Sequence, residues 1–174
     1  MSTERHFYYK ITDLHNLAQV ESIHALSSAE TEPGREGLTD KSVLGLDEAV
    51  FFKRMIKTAA VEVFKRIHRR GRGVASGYQF DAPYGEADDG YIIFNLSFPD
   101  NFDENLLEPI DTYVLNALIY KSLAEWFKST RKNYLSEDFE KQYTNQIDQL
   151  KSIMEMRTKV SGKAYFFAPY FLNS

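Results

Sequence analysis

Histidine side chains are the first residues in this sequence that could bind a metal ion or move a proton. The four histidines are His6, His15, His24 and His68. None of them pairs with another at a spacing of four residues, and none lies in a His-Glu-x-x-His motif. The sequence therefore predicts no zinc site.

A loop from Asp81 to Gly90 concentrates acidic side chains. Asp81, Glu86, Asp88 and Asp89 could supply oxygen ligands to a divalent cation. Their spacing departs from the Asp-x-Asp-x-Asp-Gly calcium loop, and Asp89-Gly90 is also a common turn pair. Both interpretations stay open, and we assign no metal ligand.

Glycine-rich and nucleophile motifs also fail to indicate catalysis. Gly71, Gly73 and Gly77 suggest a phosphate-binding loop, but such a loop follows a strand and opens a helix. These glycines instead close a predicted helix and enter a predicted strand. The chain has no cysteine and no Gly-x-Ser-x-Gly elbow, so thiol catalysis is excluded and no catalytic motif remains. We expect a non-enzymatic protein with no catalytic residue and no cofactor.

The densest cationic cluster is the basic segment 65–72, which contains Lys65, Arg66, Arg69, Arg70 and Arg72. At the end of a helix each charge is favoured by the helix dipole, by about 0.3–1 kcal/mol. The same side chains could contact nucleic-acid phosphates, which requires clustered Lys and Arg but no sequence motif. They are therefore candidates for a protein interface or for DNA contact.

Charge is segregated along the chain although the formal net charge is only −4. Residues 47–72 carry eight basic and three acidic side chains, whereas residues 81–112 carry nine acidic side chains and no basic one. Such a chain is expected to fold with a bipolar surface. Unlike patches of this kind suit head-to-tail self-association.

Hydrophobic periodicity predicts an α+β, helix-dominated fold, with three main helices and a β-hairpin inserted between the second and third. Helices are expected over Asp13 to about Leu26, 47–70, 109–130 and 136–159, and hairpin strands over 74–80 and 91–98. An aromatic strand or extended arm covers 5–11, and a mobile loop covers 27–46. In the first helix Thr12 is the expected N-cap, with Leu14, Leu17 and Ala18 on one face.

The helix 109–130 is strongly apolar and is expected to lie at the centre of the fold. Asn101 or Asp103 opens it, and Pro109 is tolerated only in its first turn or at a short kink. A five-residue link to Ser136, the expected N-cap of the last helix, favours an antiparallel pair. We predict that Trp126 and Phe127 are buried against the last helix near its aromatic residues Phe139 and Tyr143.

The segment from Ala164 to Leu172 contains five aromatic residues and fits no helical period. So much apolar area is rarely left in water. The segment either folds back on its own hairpin as an added strand, or pairs with a neighbouring molecule by strand addition. In the second case Tyr165, Phe167 and Phe171 are the candidate interface residues, and Pro169 limits the length of the strand.

The 174 residues are expected to form one domain. Its parts are an N-terminal arm, short helix and loop (1–46), a helical core (47–159) with the hairpin at 74–98, and an aromatic tail (160–174). The apolar runs are too short to span a bilayer, and the N-terminus lacks the apolar segment of a signal peptide. We therefore expect a cytoplasmic protein with no membrane partner.

The segment YIIFNLSFPDNFDENLLEPI, from Tyr91 to Ile110, carries a resemblance to a known group of proteins. With the aliphatic helix that ends at Leu123-Ala-Glu-Trp-Phe127 and the last helix from Ser136, it resembles small proteins encoded in structural-gene clusters of Bacteroidetes prophages. Their layout is similar to that of the head-tail connector, or neck adaptor, proteins of tailed phages. The likeness covers about residues 47–158.

The resemblance implies a mainly helical subunit without catalytic residues that assembles into a ring between portal and tail. Its partners would be copies of itself and other virion proteins on the portal or tail side, with non-specific DNA contact as a further candidate. The expected location is then the cytoplasm, and the virion once the phage is assembled. The alternative is a nucleic-acid-associated accessory protein that uses the basic segment 65–72.

Overall fold

The structure, a computed structural model, describes residues 2–30, 44, 48–68, 75–81, 90–99 and 102–155. These residues form the strands β1 (Ser2–Lys10), β2 (Ala75–Asp81) and β3 (Tyr91–Pro99), and the helices α1 (Ile11–Glu30), α2 (Ala49–His68), α3 (Leu107–Ser129) and α4 (Asn133–Glu155). The predicted helix-dominated α+β fold is confirmed, and the β2–β3 hairpin lies between α2 and α3.

Strand β3 is the centre of a three-stranded antiparallel sheet in the order β1-β3-β2. Its alternate residues Ile92, Phe94, Leu96 and Phe98 are buried, while the residues between them are more exposed. A strand with one face on the core has this period of two. Pro99 is the last residue of β3, as expected for a residue without a backbone N–H.

The aromatic N-terminal segment is the strand β1, which pairs with β3 from Ser2↔Pro99 to Lys10↔Tyr91. Tyr9 lies on the core side of β1, and its hydroxyl donates to Asp111 Oδ1 on α3 at 2.7 Å. Burial and then the charge of Asp111 raise the pKa of Tyr9 well above its ordinary value. β1 is thereby fixed to both the sheet and the helix α3.

Helix α3 occupies the centre, as predicted, and packs against α1, α2 and α4. Asp103 caps the preceding single turn of 3₁₀ helix, Glu104–Leu106, by accepting a hydrogen bond from the Asn105 amide at 3.1 Å, and Asn101 lies outside the described residues. Pro109 lies in the first turn of α3, where its missing N–H has no partner to lose. The predicted apolar residues of α3 are all buried: Ile110, Val114, Ala117, Leu118, Leu123, Trp126 and Phe127.

Helices α3 and α4 form an antiparallel pair through a link of three residues rather than five. Phe127 stacks on Phe139 with 5.5 Å between ring centroids, as expected. Trp126 is also buried, but the ring that it contacts is Phe51 on α2, at 6.2 Å. Ser136 is not the N-cap of α4, because the helix begins at Asn133. Its hydroxyl instead donates to the Ala124 carbonyl of α3 at 2.8 Å.

Helix α1 begins two residues earlier and ends four residues later than its sequence pattern suggests. Thr12 is inside the helix and does not cap it, and its hydroxyl is buried without a hydrogen-bond partner. Leu14 and Ala18 are buried as expected, but Leu17 is 44% exposed. The expected loop 27–46 is therefore helical up to Glu30. Of its remainder only Leu44 is described, and it is buried.

The buried side chains of α1 to α4 and of the core face of the sheet form one hydrophobic cluster. On α2 the predicted stripe is confirmed: Phe52, Ile56, Ala60, Val63 and Ile67. On α4 the predicted stripe is confirmed as well: Phe139, Tyr143, Ile147, Leu150 and Met154. This shared core fixes the positions of the sheet, α1, α2 and α4 relative to α3, and so it also determines which of their faces point outward.

Candidate interaction surface

Lys65 and Arg66 are the basic residues of segment 65–72 that the structure describes, and both are exposed on the last turn of α2. With Thr58, Val61 and Glu62 they line a groove of about 440 Å³. Three further members of the segment lie outside the described residues: Arg69, Arg70 and Arg72. The described part presents two cations beside one carboxylate, which suits an acidic protein surface or phosphate groups.

A buried lysine that the sequence analysis missed joins three helices near this groove. Lys121 Nζ on α3 lies 3.0 Å from Glu140 Oε2 on α4, 3.2 Å from Glu125 Oε1 and 3.5 Å from Glu62 Oε2 on α2. We call Lys121 and these three carboxylates the Lys121 cluster. Lys121 lies within a run of apolar residues, so its spacing alone could have indicated a buried position.

In and beside the Lys121 cluster, the pKa values of Lys121 and of Tyr143 are raised. Burial alone would lower the pKa of Lys121, but the hydrogen bond and charge of Glu140, helped by Glu62 and Glu125, outweigh burial and raise it. The Tyr143 ring centroid lies 5.5 Å from the ammonium, and burial, followed by the charge of Glu62, raises the pKa of Tyr143 to about 12. A charged lysine and a neutral phenol cannot act as bases near neutral pH. The ammonium of Lys121 instead links α2, α3 and α4 through three ion pairs.

A second feature is the exposed apolar row on α1, formed by Leu17, Val20 and Ile23. These side chains are 44%, 52% and 43% exposed and recur every three residues along one side of the helix. Val50 and Phe51 at the start of α2 are also exposed. The spacing of the row was visible in the sequence, but only the packing of α1 shows which of its two apolar sides faces the core.

The histidines are dispersed rather than brought together. His6 on β1 is exposed and its Nδ1 lies 2.7 Å from Asn95 Oδ1 on β3. His15 on α1 is buried with its ring edge against Phe52, at 5.5 Å between centroids. His24 is exposed on α1, and the His68 side chain is not described. Among the residues that the structure describes, no group of three or more His, Asp or Glu side chains could hold a metal ion.

Two other predicted features fall largely outside the described residues. Of the acidic loop, Asp81 ends β2, whereas Glu86, Asp88 and Asp89 are not described. The tail residues Tyr165, Phe167 and Phe171 are not described either.

Within the described ranges, every helix is too short or too polar to cross a membrane.

Comparisons of this chain with family models, with curated proteins and with solved structures find no match.

Proposed function

We propose that this protein is a non-enzymatic phage or prophage virion assembly protein, a head-tail connector or a related neck or tail-completion subunit that acts by oligomeric assembly. The observation that carries the proposal is the exposed apolar row on α1. Its three aliphatic side chains are each more than two-fifths exposed although α1 has a separate buried face. Exposed apolar patches on a folded protein usually mark a surface that another molecule covers.

The order of elements gives further support. The stretch of the chain that resembles prophage connector-type proteins runs through α2, the β2–β3 hairpin, α3 and α4. In this stretch the apolar faces of the helices are buried within the same chain, because α3 packs against both α2 and α4. A rigid helical core of this kind can present its remaining surfaces to neighbours in a fixed orientation.

Charged surfaces support head-to-tail contact. Lys65 and Arg66 are exposed at the end of α2, while Glu108 is exposed in the first turn of α3. Glu104 and Asp111 are exposed nearby, although they already pair with Arg5 and Tyr9. Unlike charges on two parts of one subunit can meet between neighbours around a ring. Such contacts weaken with added salt because exposed charges are screened over about 8–10 Å at physiological ionic strength.

The test is the mass of the purified protein over a wide range of concentration, measured by light scattering and native mass spectrometry. We expect discrete oligomers above the 20.1 kDa monomer. Val20→Glu should reduce assembly, because it places a charge in the exposed apolar row. Asn16→Glu adds the same charge at an exposed polar position of α1 and is the matched control. A strictly monomeric protein, alone and with portal or tail proteins, would contradict the proposal.

The alternative, a nucleic-acid-associated accessory protein, is favoured by the exposure of Lys65 and Arg66 beside the groove on α2. Binding to DNA duplexes of unrelated sequence distinguishes the two functions. An assembly protein should bind them weakly, without sequence preference and with strong dependence on salt. A marked preference for one sequence at physiological salt, lost in Lys65→Ala/Arg66→Ala, would favour the accessory protein.

A further inference from the structure

The outer edge of β1 is a long and regular strand edge. β1 is an edge strand, because the order of the sheet is β1-β3-β2. Its register with β3 runs without interruption over nine residue pairs. β1 contains neither proline nor glycine. Edges with these properties readily accept another strand, and natural proteins usually cover them.

The backbone groups that face this edge can be identified from one hydrogen bond. The Ile11 amide donates to the Gly90 carbonyl at 2.9 Å, and this pair continues the β1–β3 register. In an antiparallel ladder, hydrogen-bonded and non-hydrogen-bonded pairs alternate. Phe7 and Tyr9 therefore bond to β3, whereas the amides and carbonyls of His6 and Tyr8 point to the open edge.

The other edge of the sheet is less suitable. β2 is two residues shorter than β1, and its register with β3 shifts between Ala75 and Gly77. A bulge bends the strand and interrupts the regular spacing of its outward groups. Between the two edges, the central part of β1 offers the better template for strand addition.

We propose that residues 164–168 of the same chain dock on the outer edge of β1 as a fourth strand. The segment Ala-Tyr-Phe-Phe-Ala is uncharged and has every backbone N–H, whereas Pro169 ends the stretch that can donate to a ladder. The centre of β1 is aromatic as well, and Tyr8 is 61% exposed there. Aromatic pairs across neighbouring strands stabilise a sheet by about 0.2–1 kcal/mol each.

The end of α4 brings the tail close to this edge. Because α3 and α4 are antiparallel and both have 23 residues, Glu155 lies beside the first turn of α3. β1 reaches the same end, since Arg5 Nη2 lies 2.7 Å from Glu104 Oε1. The eight residues 156–163 can span up to about 26 Å when extended. A tether this short gives the tail a roughly millimolar effective concentration at the edge of β1. The chain's own tail should therefore occupy the edge in preference to the tail of a neighbouring molecule.

Hydrogen exchange of single amides in the full chain tests the proposal. The amides of Phe7 and Tyr9 are internal references, because β3 protects them with or without the tail. We expect the His6 and Tyr8 amides to exchange at least about tenfold more slowly than in the tail variant Tyr165→Pro/Phe166→Pro. Asn173→Pro, which lies beyond the docked segment, should leave their protection unchanged.

Two results would overturn the proposal. If the His6 and Tyr8 amides exchange freely in the full chain while Phe7 and Tyr9 are protected, the edge is open. If their protection appears only as the protein concentration rises, a second copy occupies the edge instead of the chain's own tail. The first result does not depend on assembly. The second would also raise the measured mass, and Val20→Glu separates it from assembly through the exposed apolar row, because that substitution leaves the β1 edge unchanged.

Discussion

Helices α1 and α4 both pack against α3, yet they use their apolar residues differently. The apolar stripe of α4 is buried along its length, from Phe139 to Met154. On α1 the apolar residues divide between a buried side that includes Leu14 and Leu26 and the exposed apolar row. Helix α4 therefore buries its apolar stripe in the core, whereas α1 leaves an apolar row exposed.

The largest expected difference between the two helices comes from one substitution made on each. Leu150→Ala on α4 removes a buried side chain and should lower the free energy of unfolding by about 2–5 kcal/mol. Leu17→Ala on α1 should cost only about 1 kcal/mol, because nearly half of the side chain is already in water. Urea unfolding followed by circular dichroism measures both. An equal cost at both positions would mean that the row on α1 is already covered within the subunit.

The Lys121 cluster gives the next largest effect. Lys121→Met removes three ion pairs and leaves Glu62, Glu125 and Glu140 facing one another. The substitution should lower the free energy of unfolding by about 1–3 kcal/mol. The loss should not be larger, because these half-exposed carboxylates recover part of their hydration. Added salt should restore part of the loss by screening their repulsion. Added salt should not restore the stability of Leu150→Ala in this way. The salt dependence therefore separates the contribution of the ion pairs to Glu140 from that of the apolar stripe of α4.

The matched control for this substitution is Lys141→Met. Lys141 pairs with Asp138 at 3.2 Å on the exposed side of α4. Exposed pairs of this kind contribute little, so the change should stay within about 0.5 kcal/mol. If Lys121→Met were equally mild, the cluster would not clamp α2, α3 and α4 together.

A helix was predictable from the sequence where it has a single apolar stripe, because that stripe must pack against the core. The stripes of α2 and α4 are of this kind, and their predicted residues are buried. Helix α3 was predictable for another reason, because its apolar residues cover more than one side, as expected of a central helix. Leu17 was misplaced because α1 has apolar residues on two sides, and periodicity does not rank them. The pairing of β1 with β3 joins residues about 90 positions apart, as in Phe7↔Phe94. Such pairing depends on the whole fold rather than on local pattern.

Two local signals were also misleading for a physical reason. Ser136 and Thr12 have the residue types of N-caps, but tertiary packing placed each of them inside a helix. Glu125 follows Lys121 by four residues on α3, a spacing that the sequence shows, but Glu62 and Glu140 come from other helices, and no spacing along the chain could reveal them. For the basic segment 65–72 the sequence identified exposed positions correctly at Lys65 and Arg66.

The smallest predicted effect concerns the turn between α3 and α4. It tests whether backbone strain in this turn limits the stability of the α3–α4 pair. Arg131 has φ of 62°, in the left-handed region that favours glycine. Its amide donates to the Lys128 carbonyl at 3.2 Å, and the Lys132 amide donates to the Phe127 carbonyl at 2.8 Å. These two bonds form a Schellman motif that ends α3.

Arg131→Gly should raise the free energy of unfolding by about 1 kcal/mol, because the strain of a left-handed non-glycine residue exceeds the added freedom of glycine in the unfolded chain. Arg131→Ala keeps the strain and should leave stability within about 0.5 kcal/mol of the natural protein. Thermal and urea unfolding of the three proteins make the comparison. If alanine stabilised the protein as much as glycine, the arginine charge rather than the backbone would be the cause. A gain for glycine alone would show that backbone strain at Arg131 limits the stability of the α3–α4 pair.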